Sequence, residues 1–178
     1  MNKLSFTKLN DEGQELIELL TTNIWEFHSE KSVLPDQINK ALQKGWYSND
    51  RETYWIEENG AKTGLLIIHD FSDTIPSFDI RIAKDYRGKG HGAAAVKWLT
   101  DYLFTHPDQK IRIEAYTRRD NLAMRKTLYN SGYVKEGHLR NAWENKDGTV
   151  SDSCCYAIIR SDWEEGKTTP VCIDDYPY

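Results

Sequence analysis

The sequence predicts a mixed α/β (α+β) sheet with helices on its faces. Three observations carry that expectation. Short segments alternate apolar and polar residues with period two, apolar stripes of helical period lie between them, and Gly- or Asn-bearing turns mark the changes. Strands alternate with helices in the middle of the chain and a hairpin stands toward each end. That order implies a sheet with both parallel and antiparallel neighbours.

Leu4 to Leu9 reads as a first strand. Asn10 or Asp11 caps a helix from about Glu12, with Leu16, Leu20, Ile24 and Phe27 on one face. Pro35 starts a second helix, Ile38, Ala41 and Leu42 give it a short apolar side, and Gly45 ends it. Together these two helices read as a flap. Thr53 to Glu57 and Thr63 to His69 form a hairpin about Asn59-Gly60, residues that readily supply the positive φ angles of a two-residue turn. From Ser77 to Ala83, Phe78, Ile80 and Ile82 alternate with Asp79 and Arg81. A helix from Gly92 to Thr105 carries Val96, Leu99 and Leu103 and stops before Pro107. Ile111 to Tyr116 is the next strand, with Ile111, Ile113 and Ala115 on one face. Asp120 or Asn121 caps a helix that leaves through Gly132, and Tyr133 to Arg140 and Ser151 to Ile159 close a hairpin near Asp147-Gly148. After Asp162 the chain, with Pro170 and Pro177, shows little periodicity.

Residues 1–178 suffice for one domain, with a core over about 4–163 and a tail over 164–178. Lys and Arg total 23 against 28 Asp and Glu, a net charge of −5, which argues against a nucleic-acid partner. Cys154, Cys155 and Cys172 have no CxxC spacing, so neither zinc nor a disulfide framework is expected. No apolar run approaches the roughly 20 residues that span a bilayer. The expectation is a cytoplasmic protein with no membrane partner.

The stretch with the most chemistry is Tyr86-Arg87-Gly88-Lys89-Gly90-His91-Gly92, running through Ala93 into the long helix. Glycines at alternate positions let backbone N–H groups approach a ligand, and the helix adds its unpaired donors and positive dipole end. Phosphate or pyrophosphate is the natural occupant. Arg87, Lys89 and His91 add charge. Neither a Walker A loop nor GxGxxG is present, which removes triphosphate hydrolysis and dinucleotide binding. What stands is R-x-x-G-x-G over Arg87, Gly90 and Gly92. The second half adds Asn121-Leu122-Ala123, Ser131-Gly132-Tyr133, Glu136-Gly137, Leu139-Arg140, Asp152 and Asp162-Trp163.

On these motifs the chain resembles the GNAT N-acetyltransferase superfamily, in particular its RimJ/RimL-like branch, over roughly residues 4–163. The resemblance implies a mostly antiparallel sheet splayed between the fourth and fifth strands, with acetyl-CoA as co-substrate and no metal. Its implied activity is direct acetyl transfer to a primary amine of a protein N-terminus or a small molecule. Residues Arg87 to Ala93 would bind the pyrophosphate, Asn121 the pantetheine arm and Lys126 a phosphate. A backbone N–H near Ile82 would face the oxyanion. The family's proton-donating tyrosine falls on Leu128, and Tyr129, about 100° further round the helix, is its nearest substitute.

Asp79 and Arg81 share one face of a central strand, where charge needs a reason. Either they form a structural pair, or Asp79 lines the acceptor cleft and relays a proton. Trp25, His28 and Trp46, near the first two helices, and Glu136 would wall the acceptor. Glu15, Glu18, Glu26 and Glu30 hint at a cationic one. Arg140 and Asp152 read as an ion pair. A homodimer through the C-terminal hairpin edge fits. The alternative is a non-catalytic acyl-CoA-binding sensor.

Overall fold

The computed structural model describes residues 4–172, so Pro177 lies outside the described residues. The elements run β1 Leu4–Lys8, α1 Gly13–Thr21, α2 Pro35–Gln43, β2 Arg51–Glu58, β3 Ala61–His69, β4 Ser77–Ile82, α3 His91–Thr105, β5 Arg112–Arg118, α4 Leu122–Asn130, β6 Val134–Glu144, β7 Val150–Ile159 and α5 Arg160–Glu165. They build a seven-stranded sheet in the order β1-β2-β3-β4-β5-β7-β6. Every pairing is antiparallel except β4 with β5, which meet at Ser77 and Glu114 alone. Ile111 N–H to Thr74 O (2.9 Å) and Glu114 N–H to Pro76 O (3.0 Å) close the base of that junction. Beyond it the two strands part, which is the expected splay.

Each sheet face has its own core. One packs α3 and α4, through Val96, Leu99, Leu103 and Leu128, on Ile56, Leu66, Ile68 and Ile113. The other packs Leu16, Leu20 and Ile38 of α1 and α2 on Trp55, Leu65 and Ile67. The first two helices are thus a layer of the core and not a loose flap. Gly64 permits the close approach of β3 and β4, for a Cβ there would lie 2.4 Å from Arg81 O.

Four expectations change. The first helix ends at Thr21, not near Phe27, because the side chains of Thr21, Thr22 and Asn23 bond back to Ile17 O, Glu18 O and Leu19 O and cap its last turn. Ile24 is therefore 61% exposed, and Trp25 turns in instead at 2%. At the other end of that helix the cap position is Glu12, not Asn10 or Asp11, and its carboxylate accepts from Asn10 N–H (2.8 Å). After Ile159 the chain forms α5, where Asp162 accepts from Thr169 N–H and Oγ1 at 2.8 and 2.6 Å. Ile111 precedes β5 and is exposed.

Candidate active site

The glycine turn leaves β4 through a short 3₁₀ turn, Lys84–Tyr86, and enters α3 at Gly90. Gly90 is left-handed at φ 89°, and a Cβ on Gly88, Gly90 or Gly92 would meet no protein atom within 4 Å. The space around these glycines is open. Ala94 N–H is the first helical donor, to Gly90 O at 3.0 Å, so the amides of His91, Gly92 and Ala93 come before the first helical bond. Ala93 itself is exposed. The loop therefore presents backbone donors at a helix N-terminus, the geometry of an anion site.

Two side chains expected to add charge there are used otherwise. Arg87 turns back on the protein, donating to Ile82 O and Ile24 O, both at 2.8 Å, with its guanidinium over Trp25. It clamps the turn to β4 and to the chain after α1. His91 is 3% exposed, packed edge-on against Tyr86, with its Nε2 3.8 Å from Glu58. Burial keeps its ring away from a ligand, and both ring nitrogens lack a hydrogen-bond partner among the described residues. Lys89 remains exposed beside Tyr86.

The splay supplies the next donor. Successive amides of an antiparallel strand face alternate neighbours, and Ala83 N–H donates to Thr63 O on β3 (2.9 Å). Ile82 N–H therefore faces the opening between β4 and β5. Across that opening, Asn121 caps α4 by accepting from Met124 N–H (3.2 Å) and is tied to β5 through Thr117 Oγ1 (3.1 Å). Lys126 is exposed on the same helix. Tyr129 is 76% exposed, whereas Leu128 takes the buried position. Because α4 packs on the sheet face opposite α1 and α2, the structure does not bring Tyr129 to the charged residues of β4.

Those residues lie under the chain that follows α1. Asp79 Oδ1 is 2.9 Å from His28 Nε2, and Asp79 Oδ2 accepts from Arg81 Nε at 3.2 Å. Burial alone would raise the Asp79 carboxyl, but His28 and the guanidinium of Arg81 beside it hold it well below the usual carboxylate range. His28 Nδ1 is buried without a partner among the described residues. The ring is placed by a compact loop in which His28 N–H donates to Trp25 O (3.0 Å) and Trp25 N–H to Lys31 O (2.8 Å). Trp25 does not line an open cleft. Its Nε1 is bonded to Leu20 O (2.9 Å), and its ring supports Arg81 and Arg87. Trp46 borders a cavity of about 170 Å³ between α1, α2 and β3, which Arg81 and Glu30 also line.

Glu136 is not in this cluster. Arg112 grips it at 3.0 and 2.5 Å and also donates to Glu114 at 2.8 Å, on the β5-β7-β6 half of the sheet. The expected Arg140–Asp152 pair is replaced by His138 on Asp152 (2.7 Å), with Asn141 N–H on its other oxygen (3.0 Å). Of the acidic residues near the first helices, Glu15 pairs with Lys62, Glu26 with Lys31 and Glu30 with Lys146, whereas Glu18 forms no ion pair among the described residues. The pairing of His28 with Asp79 was invisible in sequence, the two being 51 residues apart.

A family model described as an acetyltransferase (GNAT) domain matches residues 5–134. The chain belongs to the GNAT family of acetyl-CoA-dependent N-acetyltransferases. No curated protein was found to match it. Among solved structures it is similar to spermidine N-acetyltransferase from Vibrio cholerae in complex with CoA and spermine, at 21% identity and a TM-score of 0.78 over 90% of this chain and 98% of that one. A dodecameric structure of the same Vibrio cholerae enzyme gives 21% and 0.73 over 90% and 95%. A structure described as a probable acetyltransferase gives 19% and 0.75 over 90% and 94%. At such identities the likeness is one of fold. This GNAT chain shares with them its overall α/β fold. No described helix is long and apolar enough to cross a membrane.

Proposed function

We propose that this chain acetylates a primary amine held on the α1–α2 side of the splayed sheet, with His28, oriented by Asp79, taking up the amine proton. The observation that supports it is the 2.9 Å contact of His28 Nε2 with Asp79, which leaves Nδ1 without a partner among the described residues. A neutral imidazole that donates Nε2–H to a carboxylate carries its lone pair on Nδ1, and that atom is the base.

The amine nitrogen forms a bond to the thioester carbonyl carbon, and charge moves onto the carbonyl oxygen, which Ile82 N–H faces. As the carbonyl re-forms, the C–S bond breaks and the sulfur leaves with the bonding pair. The proton lost by nitrogen goes to His28 Nδ1 and returns through water to the thiolate. The products are the acetamide and free CoA thiol. Backbone donors from Gly88 to Ala93 hold the pyrophosphate, Asn121 meets the pantetheine arm and Lys126 a phosphate. The second-half motifs support membership of the RimJ/RimL-like branch, and β6 at a sheet edge leaves a strand for pairing with a second copy.

Calorimetric titration with acetyl-CoA, followed by amine-dependent release of CoA thiol, tests this reading. Binding in the micromolar range and thiol release that requires an amine are expected; a chain that binds no acetyl-CoA would sink it.

A further inference from the structure

Resting on that reading, we infer that the acceptor carries a carboxylate close to its amine and a single compact apolar group, as a free apolar amino acid does, and that Arg81 is the residue that selects it. The cavity that Arg81 lines is about 170 Å³, walled by Val33, Ile38, Trp46, Leu65 and Ile67. An apolar cavity of roughly 150 Å³ accommodates a benzene ring, so this one has room for one aromatic or branched aliphatic group and not for an extended chain.

The polar groups around it decide what else the acceptor bears. Arg81 lines the cavity with its side chain 17% exposed, and its only hydrogen bond among the described residues runs from Nε to Asp79. Its two terminal nitrogens are left for a ligand, in the planar fork that fits a carboxylate. Glu30 is the one other charged residue of the lining, and it is already held by Lys146 and by Gln37 Nε2 (2.8 Å). Asp79 is likewise shared by His28 and Arg81. No surplus negative charge therefore faces this cavity, whereas a polyamine would need several carboxylates to replace its hydration. Arg81 and Asp79 are two residues apart on one face of β4, so a carboxylate on Arg81 sets a neighbouring amine beside the His28–Asp79 pair.

The test compares matched acceptors after acetyl-CoA binding has been established: leucine with 3-methylbutylamine, phenylalanine with 2-phenylethylamine, and spermidine and an apolar tripeptide as the remaining classes. The amino acids should exceed their decarboxylated partners at least tenfold in kcat/KM. Arg81→Gln should collapse that ratio toward one, and Arg81→Lys should restore part of it. Because the readout is a ratio within one enzyme preparation, a general loss of activity does not imitate it. Spermidine or the tripeptide as the best acceptor, a ratio near one in the wild type, or a ratio unmoved by Arg81→Gln would each overturn the inference. A protein that binds acetyl-CoA yet acetylates neither amino acid overturns it too, leaving the family's donor chemistry intact. Failure to bind acetyl-CoA removes the underlying reading instead.

Discussion

In the proposed reading the pyrophosphate is held by one contiguous stretch, Gly88 to Ala93, through backbone amides. The proposed acceptor side is instead gathered from β4, the loop after α1 and the cavity under α2, and would work through side chains from residues 51 positions apart. The difference teaches where each is vulnerable. Backbone recognition depends on φ and ψ and on open space, so it tolerates exchanged side chains and fails when a glycine is replaced. Side-chain recognition depends on which carboxylate meets which base, so it survives backbone-neutral changes and fails on a single isosteric substitution.

The largest effect is expected on the donor side. Gly90→Asp forces a side chain onto a residue at φ 89° and sets a carboxylate at an anion site, and should weaken acetyl-CoA binding by about a hundredfold or more by calorimetry. Next comes the acceptor side, where His28→Gln and Asp79→Asn should each lower kcat by about a hundredfold while acetyl-CoA affinity stays within about twofold. Parallel loss of acetyl-CoA affinity in those variants would show that the two sides are not separate units.

A smaller effect sharpens the same contrast from the other half of the sheet. Glu136 is a carboxylate on a base, as Asp79 is, but its partner Arg112 is a permanent cation with no proton to exchange at neutral pH. Glu136→Gln should cost about 1 kcal/mol or less of stability in urea unfolding, since the pair is partly exposed, and should leave kcat/KM within about twofold. A tenfold fall would extend the acceptor site across the sheet.

The smallest effect is one of pH. Burial lowers the His69 pKa from 6.5, and its Nδ1 accepts from Arg51 Nε at 2.9 Å. As pH falls below 6.5 the unfolded chain takes up this proton before the folded one, so stability declines down to the lowered folded value and then levels. His69→Asn, which keeps an acceptor for Arg51, should flatten that decline in unfolding curves between pH 7.5 and 5. Asp79 acts in a different window. Its depressed folded pKa contributes stability that is full above the ordinary carboxylate value of 3.8 and lost as pH falls through the folded one.

Features that depend on neighbours in the chain were readable before any coordinates. The Asn59-Gly60 hairpin, the Asn121 cap, the Gly132 exit and the glycine turn all rest on φ preferences or on side-chain-to-backbone bonds within a few residues. The misreadings came where two local rules competed or where the partner was distant. An apolar period carried the first helix through Ile24, but the hydroxyls and amide of Thr21, Thr22 and Asn23 cap its last turn. Arg87, His91 and Arg140 were assigned by charge, yet charge does not say which way a side chain turns.

The sequence by itself determined the order of the strands and the first four helices, the glycine turn and the family, because glycine spacing and apolar period are local and act through the backbone. Only the tertiary structure decided that His28 meets Asp79, that Arg81 bonds Asp79 through Nε alone, and that Arg87 and His91 turn onto the protein itself. Those outcomes depend on which strands lie side by side and which side chains lose their water together, and pairings across 51 residues leave no periodic trace in the chain.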